Sequence, residues 1–506
     1  MKKPQTLAEL KRSGYRSRTV KEELRENLIA RLREGRPLFA GIVGYEKTVL
    51  PQVVNAILSG HDFILLGLRG QAKTRILRSL TELFDEEIPA VLGSEIRDDP
   101  MRPIEERTRA LLAKLGDELP ITWIPRSERY HEKLATPDVT IADLIGDIDP
   151  IKAATRKLTF ADPEVVHYGI LPRSNRGIFA LNELPDLSAR IQVGLLNILE
   201  EGDIQIRGFP VRLALDIELV FSANPEDYTN RGSIITPLRD RISSQIHTHY
   251  PRTLEDAMKI TTQEAWVERA GPVTVDVPEY LRMTIEEVAF QARASEFVDQ
   301  NSGVSARVTI ALLENTLSNA ERRALLRGEE RTTARISDLF AASSSITGKI
   351  ELVYEGEREG VQAVARALIG RAAKAVFDRH LPDAYGLDQA PGAGAGEGEF
   401  KPVVEHFKNG RVLDLSDEMT DAELADCLAK IAALEGLTKK YLSAHSTGEL
   451  AAGMEFVLEG LHQSSLLAKS EMVGGRSYRD MFEDMVKGLK KPGEKPRPPR
   501  AKGGQG

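Results

Sequence analysis

The stretch Phe63–Thr74, FILLGLRGQAKT, constrains the chain more than any other. Phe63, Ile64, Leu65 and Leu66 form an apolar run of strand length, stopped by Gly67. Gly70, Lys73 and Thr74 follow, and Ile76, Leu77, Leu80 and Phe84 then recur at helical spacing. Strand, glycine-rich turn and helix in this order are the context that a phosphate-binding loop requires. Backbone N–H groups of Gly67, Leu68, Arg69, Gly70, Gln71 and Ala72 can converge on phosphate oxygens, aided by the dipole of the helix. Lys73 would reach the β- and γ-phosphates of ATP, and the Thr74 hydroxyl would bind Mg²⁺. Ala72 stands where the pattern G-x-x-x-x-G-K-[ST] has its second glycine. Its N–H survives, and a methyl in the first helical turn is expected to need no positive φ.

The 506 residues are too many for one domain, so two to four are expected. The formal charge of −8 argues against a generic nucleic-acid-binding surface. A single cysteine, Cys427, excludes a disulfide framework and a thiolate zinc cluster, and its helical context reads as a small core residue. No apolar run approaches a membrane span, and the N-terminus MKKPQTLAELKRSGY has no signal-peptide core. A cytoplasmic, soluble protein is expected.

Along the chain, Val20, Leu24, Leu28, Ile29 and Leu32 give an apolar helical stripe within residues 1–36, expected to pack on the next domain. Gly41 and Gly44 bracket Ile42 and Val43 ahead of a helix carrying Val49, Val53, Val54, Ile57 and Leu58. Ile178–Leu181 read as a second buried strand, ending in Asn182 and Glu183. IQI (204–206) and VRL (211–213) alternate about RGFP as a hairpin would. IELVFSANPED supplies a third apolar strand tipped by Ser222 and Asn224. Arg239, Asp240 and Arg241 follow in PLRDRI. His247 and His249 alternate on an expected strand without an acidic or cysteine companion, which disfavours a metal site. Beyond Pro251 the pattern turns helical, and Arg307 opens a helix after GVSA. QAPGAGAGEGE (389–399) reads as a flexible linker. Beyond it, Leu424, Leu428, Ile431 and Leu434 form a stripe, SYRDMFEDMVKGL is expected to be helical, and the Pro/Gly-rich basic end is expected to be disordered.

GLRGQAKT, GIFALNELPDLS, FSANPED, PLRDRI and GVSAR occur in the order, and near the spacing, of AAA+ ATPases of the MoxR and magnesium-chelatase ATPase-subunit group. The chain resembles that group over roughly residues 36–350. The resemblance implies an α/β P-loop AAA+ αβα sandwich with a parallel sheet over 37–250. It further implies an all-α lid over 251–385, with a linker at 386–399, a small mainly helical unit at 400–488 and a tail at 489–506. It implies Mg-ATP held between subunits of a homo-oligomeric ring, usually a hexamer. Ile42 and Val43 would contact adenine, and Asn182 and Glu183 would form the Walker B tip, with Glu183 orienting the attacking water. Asn224 would be sensor 1. Arg241, with Arg239 as the alternative, would reach a neighbouring subunit's γ-phosphate, and Arg307 would be sensor 2. Asn182 replaces the usual Asp, keeping an oxygen but dropping the charge, so Mg²⁺ should be held less strongly.

Within the group the resemblance implies a MoxR-like ATPase that remodels a partner protein, often one bearing a von Willebrand A domain. No metal-dependent DxSxS stretch of such a domain occurs here, so that partner would be another chain. The ATPase subunit of a magnesium chelatase is a second reading. A slow or inactive nucleotide-gated scaffold is a third, because of Asn182. Enhancer-binding transcription activators share the core but need a GAFTGA loop, which this sequence lacks.

Overall fold

The computed structural model describes residues 3–149, 151, 155, 165–205, 212–224, 232–384, 398–408 and 410–481. It divides into two compact units, Met1–Arg252 with Asn301–Ser305, and Thr253–Gln300 with Ala306–Gly506.

The first unit is built on a five-stranded parallel sheet. Its helices and strands include α1 (Val20–Arg33), α2 (Val49–Leu58), β1 (Phe63–Leu66), α3 (Lys73–Ser79), β2 (Tyr130–Leu134) and β3 (Gly177–Asn182). They continue with α4 (Leu196–Glu201), β4 (Asp203–Gln205), β5 (Arg212–Ala214), β6 (Ile217–Ala223), α5 (Thr236–Arg241) and β7 (Ser244–His247). The strand order is β7-β1-β6-β3-β2. Register places Leu66 beside Ala223 and His247, Phe221 beside Leu181, and Leu134 beside Asn182. The C-terminal tips of β1, β6 and β3 therefore lie side by side. Hairpin pairing of β4 with β5 is as expected, Asp203 facing Ala214.

Both faces of the sheet are covered, which is why its strands are continuous apolar runs. Phe63, Leu65, Ile178, Ala180 and Val220 join Leu24 and Leu28 of α1, Val53 and Ile57 of α2, and Ile76 and Leu77 of α3 in one core. Ile64, Leu66, Phe179, Leu181, Leu219 and Phe221 point the other way, into a core with Ile191, Leu195, Ile198 and Leu238. Each such side chain contributes roughly 1.5–3 kcal/mol by leaving water. Of the apolar stripe expected in the N-terminal segment, Val20, Leu24 and Leu28 form the buried inner face of α1, whereas Ile29 is half-buried and Leu32 is exposed. A buried pair fastens the helix: Arg129 Nη1 and Nη2 donate to the Glu23 carboxylate at 2.7 and 2.6 Å.

The second unit contains α6 (Leu254–Glu264), α7 (Glu279–Ala294), α8 (Arg307–Arg327), α9 (Ile336–Ala341), α10 (Val361–His380), β8 (Leu413–Ser416), α11 (Asp421–Leu428), α12 (Thr447–Gln463), β9 (Leu467–Met472) and β10 (Gly475–Asp480). Packing of α10 on α12 is close: a Cβ on Gly460 would fall 1.9 Å from Phe377 Cδ2. Leu424, Leu428, Ile431 and Leu434 are buried, as their stripe predicts. The helix expected from Ser477 onward is not observed over its first residues. Gly475–Asp480 is a strand, paired antiparallel with both β8 and β9. Arg476, Ser477 and Tyr478 are buried there, and cross-strand packing overrides local helical spacing. Residues 386–397 of the linker expected at 386–399, and the tail at 489–506, lie outside the described residues.

Candidate functional site

The loop Gly67–Ala72 leaves β1 and enters α3 at Lys73. Gly67 is needed for space: a Cβ there would sit 1.9 Å from Thr248 Oγ1 and 2.1 Å from Gln71 Oε1. Gly70 has φ +74. Ala72 overturns the expectation for its position. It caps α3 with φ 57 and ψ 14, in the left-handed region. The reversal from loop to helix occurs at this residue, so a glycine there would relieve strain that the methyl group imposes.

The Lys73 side chain is buried and folds back onto its own loop, donating to the Gly67 and Leu68 carbonyls, the latter at 3.1 Å. Thr74 follows, half-buried, in the first turn of α3. Gln71 is buried and accepts from the Thr248 hydroxyl at 2.6 Å. Tyr45, just past Gly44, donates its phenol to the Gln71 and His249 carbonyls at 3.0 and 2.6 Å. Burial pushes the Tyr45 phenol up to about 12, so it stays protonated as a donor. Tyr250 Oη donates to the Arg69 carbonyl at 3.0 Å. A clamp from the segment before α2 and the segment after β7 thus fixes the loop's shape. Sequence reasoning missed Tyr45, Thr248 and Tyr250, because their bonds run mostly to main-chain atoms distant in sequence.

Asn182, Glu183 and Asn224 stand at the tips of β3 and β6, next to the tip of β1 from which the loop springs. Asn182 Oδ1 accepts from the Ser222 hydroxyl at 2.9 Å. Glu183 has φ 55 and ψ 50, left-handed and therefore strained for a non-glycine residue. Asn224 is buried. The carboxyl edge of a parallel sheet is where ligands bind in this architecture, and here it carries a lysine, a hydroxyl, an amide pair and a carboxylate. Thr74 and Asn182 supply hard oxygen atoms that suit Mg²⁺, with Glu183 the adjoining carboxylate.

The remaining expected site residues are placed differently. Ile42 is buried in the core with Tyr45 and Val49, and Val43 is half-buried beside it. Arg241, at the end of α5, has Nε and Nη2 on Glu200 Oε2 at 2.7 and 2.6 Å and Nη1 on the Pro237 carbonyl at 3.0 Å. Arg239 is exposed. Arg307 is exposed at the start of α8 and belongs to the second unit, whereas the preceding Asn301–Ser305 belongs to the first. Strand β7 ends at His247, which is exposed. His249 lies beyond it, with Nδ1 on the Tyr250 carbonyl and Nε2 on Thr48 Oγ1 at 2.8 Å each. Among the described residues no group of three or more His, Cys, Asp or Glu is arranged to hold a metal, and no helix is long and apolar enough to cross a membrane.

A family model described as the Sigma-54 interaction domain matches residues 154–245, the span that carries Asn182, Glu183, Asn224 and Arg241. No curated relative matches the chain in sequence. Among solved structures, the chain is similar to the complex between subunits BchI and BchD of magnesium chelatase. Identity is 20%, covering 64% of this chain and 99% of that one, with a TM-score of 0.34. It is similar also to NtrX from Brucella abortus in complex with ADP, at 15% identity over 71% of this chain and 67% of that one, TM-score 0.34. The first unit has a P-loop α/β fold, resting on the β7-β1-β6-β3-β2 order with the glycine-rich loop at the end of β1, beside the middle strand β6, and the second unit is largely helical.

Proposed function

We propose that this protein is a MoxR-like AAA+ ATPase that binds and hydrolyses Mg-ATP in a ring of like subunits and uses the cycle to remodel a partner protein. The observation that carries the reading is the adjacency of the Lys73 loop, the Asn182–Glu183 tip and Asn224 at the ends of three neighbouring parallel strands. In this reading the loop N–H groups and Lys73 bind the phosphates, and Thr74 and Asn182 face Mg²⁺. Glu183 and Asn224 orient the attacking water, and Arg241 and Arg307 add positive charge to the transferring phosphoryl group. Mg²⁺, when bound, neutralises charge developing on the β- and γ-oxygens. Ile42 and Val43 line the adenine side, Val43 being the more accessible. A separate von Willebrand A-domain protein is the partner class favoured here.

Asn182 favours one further reading, a nucleotide-gated scaffold with little turnover, because a neutral amide holds a metal less strongly than a carboxylate. Steady-state ATP hydrolysis with Mg²⁺ separates the two, comparing wild type with Lys73→Ala and Glu183→Gln. Turnover lost in both variants supports the motor. Tight ATP binding without turnover in wild type sinks it and leaves the scaffold.

A further inference from the structure

Arg241 would act on a phosphate of a neighbouring subunit, yet within its own subunit the guanidinium is already engaged. Nε and Nη2 share Glu200 Oε2, and Nη1 is held by the Pro237 carbonyl one turn back along α5. Glu200 lies in the last turn of α4, just before the β4–β5 hairpin, whose base is tied to that helix end by the Leu215 N–H on the Gly202 carbonyl at 2.9 Å. The two contacts direct the arginine along the surface of its own subunit. Guanidinium geometry permits one planar, paired engagement at a time along its Nε–Nη2 edge. An arginine so paired with Glu200 cannot present that edge to a phosphate on another chain.

We infer that Glu200 is a latch residue, which parks Arg241 in the free subunit and must release it before the arginine can reach ATP bound to a neighbour. The inference rests on the in-trans reading of Arg241. The pair is partly exposed, with side-chain exposures of 30% for Arg241 and 54% for Glu200. Exposed pairs are weak, so the latch is easily opened and its removal has a modest effect. Glu200 touches no nucleotide in this reading and acts only through Arg241.

The test is self-association followed by sedimentation velocity, with Mg-ATP or Mg-ADP, in a Glu183→Gln background that makes the result independent of turnover. Glu200→Gln keeps the size of the side chain and removes its charge. It is expected to lower the protein concentration for half-association by two- to fivefold with ATP and not with ADP. That shift should vanish when Arg241→Ala is added. An unchanged midpoint, an equal shift with ADP, or a shift that persists in Arg241→Ala overturns the latch. If Arg241→Ala alone leaves ATP-dependent association intact, the in-trans role of Arg241 fails and the latch with it. Binding of a fluorescent ATP analogue, measured in parallel, reports separately whether the nucleotide site itself stands.

Discussion

The Ser222 hydroxyl donates to Asn182 Oδ1 across 2.9 Å, joining the tips of two neighbouring central strands at the residue where the sequence departs most from a carboxylate. Asp at 182 would accept the same bond and add a full negative charge. Changes of this kind around a metal alter its affinity by roughly 10–100-fold. Asn182→Asp is therefore expected to lower the Mg²⁺ concentration for half-maximal ATP hydrolysis by about tenfold, the low end of that range. An Mg²⁺ titration of turnover measures it, and an unchanged requirement would remove Asn182 from the metal side of the site.

Ala72 supplies a stability prediction of definite sign. Its φ of 57 lies in the region that costs a non-glycine residue roughly 1–2 kcal/mol, whereas glycine regains about 0.4–1 kcal/mol of unfolded-state entropy. Ala72→Gly should stabilise the first unit by up to about 1.6 kcal/mol, the difference of those two effects. Urea unfolding followed by Trp123 in a Trp266→Phe background reads the first unit alone. Destabilisation by Ala72→Gly would contradict the strain argument.

The glycine-rich loop, the strand tips and the β4–β5 hairpin were legible in the sequence because each is written in adjacent residues. Glycines stop an apolar run, Lys73 and Thr74 follow at fixed spacing, and polar residues tip the strands. The strand order was not legible, since it depends on pairing between segments such as Phe63–Leu66 and Ile217–Ala223 that lie far apart. The left-handed turn at Ala72 was not legible either, because residue type alone does not report φ. Tyr478 illustrates the last kind of difficulty: its neighbours fit a helix, yet its place opposite Leu413 and Lys469 makes it the buried centre of a three-stranded sheet.

Tyr45 couples the Gly41–Gly44 segment to the phosphate-binding loop by a single hydroxyl that serves the Gln71 and His249 carbonyls. Tyr45→Phe keeps the ring packing and removes that donor, costing about 1 kcal/mol, the scale of one hydrogen bond. ATP affinity should fall by roughly fivefold on that scale. Because the phenol is pushed up to about 12, the loss should be the same at pH 6 and pH 9. Equilibrium binding of a fluorescent ATP analogue to both proteins decides it, and an equal affinity would dismiss the coupling.

Glu23 and Arg129 fasten α1 to the first unit in a site where their side chains are 5% and 1% exposed. Arg129 also donates to the Arg176 carbonyl at 2.8 Å and stacks 3.8 Å over the Phe84 ring. Glu23→Ala strands a buried guanidinium and should cost about 3–5 kcal/mol. The urea midpoint of the Trp123 transition measures it. A loss below about 1 kcal/mol would mean that the pair behaves as a surface pair does.

Asp216 gives the first unit a pH dependence opposite to that of an ordinary paired carboxylate. Both its oxygens accept from the Val20 N–H at 3.0 Å, at the start of α1, but burial outweighs that bond and pushes the carboxyl up from 3.8 to about 6. The folded state therefore holds this proton more tightly than the unfolded chain does. Its contribution to stability is fully present below pH 3.8 and is lost as the pH rises through about 6. Asn at 216 keeps an oxygen for Val20 and never ionises. Asp216→Asn should stabilise the first unit by about 3 kcal/mol above pH 7, the order implied by a shift of this size. That advantage should shrink as the pH is lowered from 7 and disappear near pH 4. Urea unfolding read through Trp123 at a series of pH values measures the difference between the two proteins. A difference that stays constant across the series would mean that the carboxyl of Asp216 does not titrate in this range.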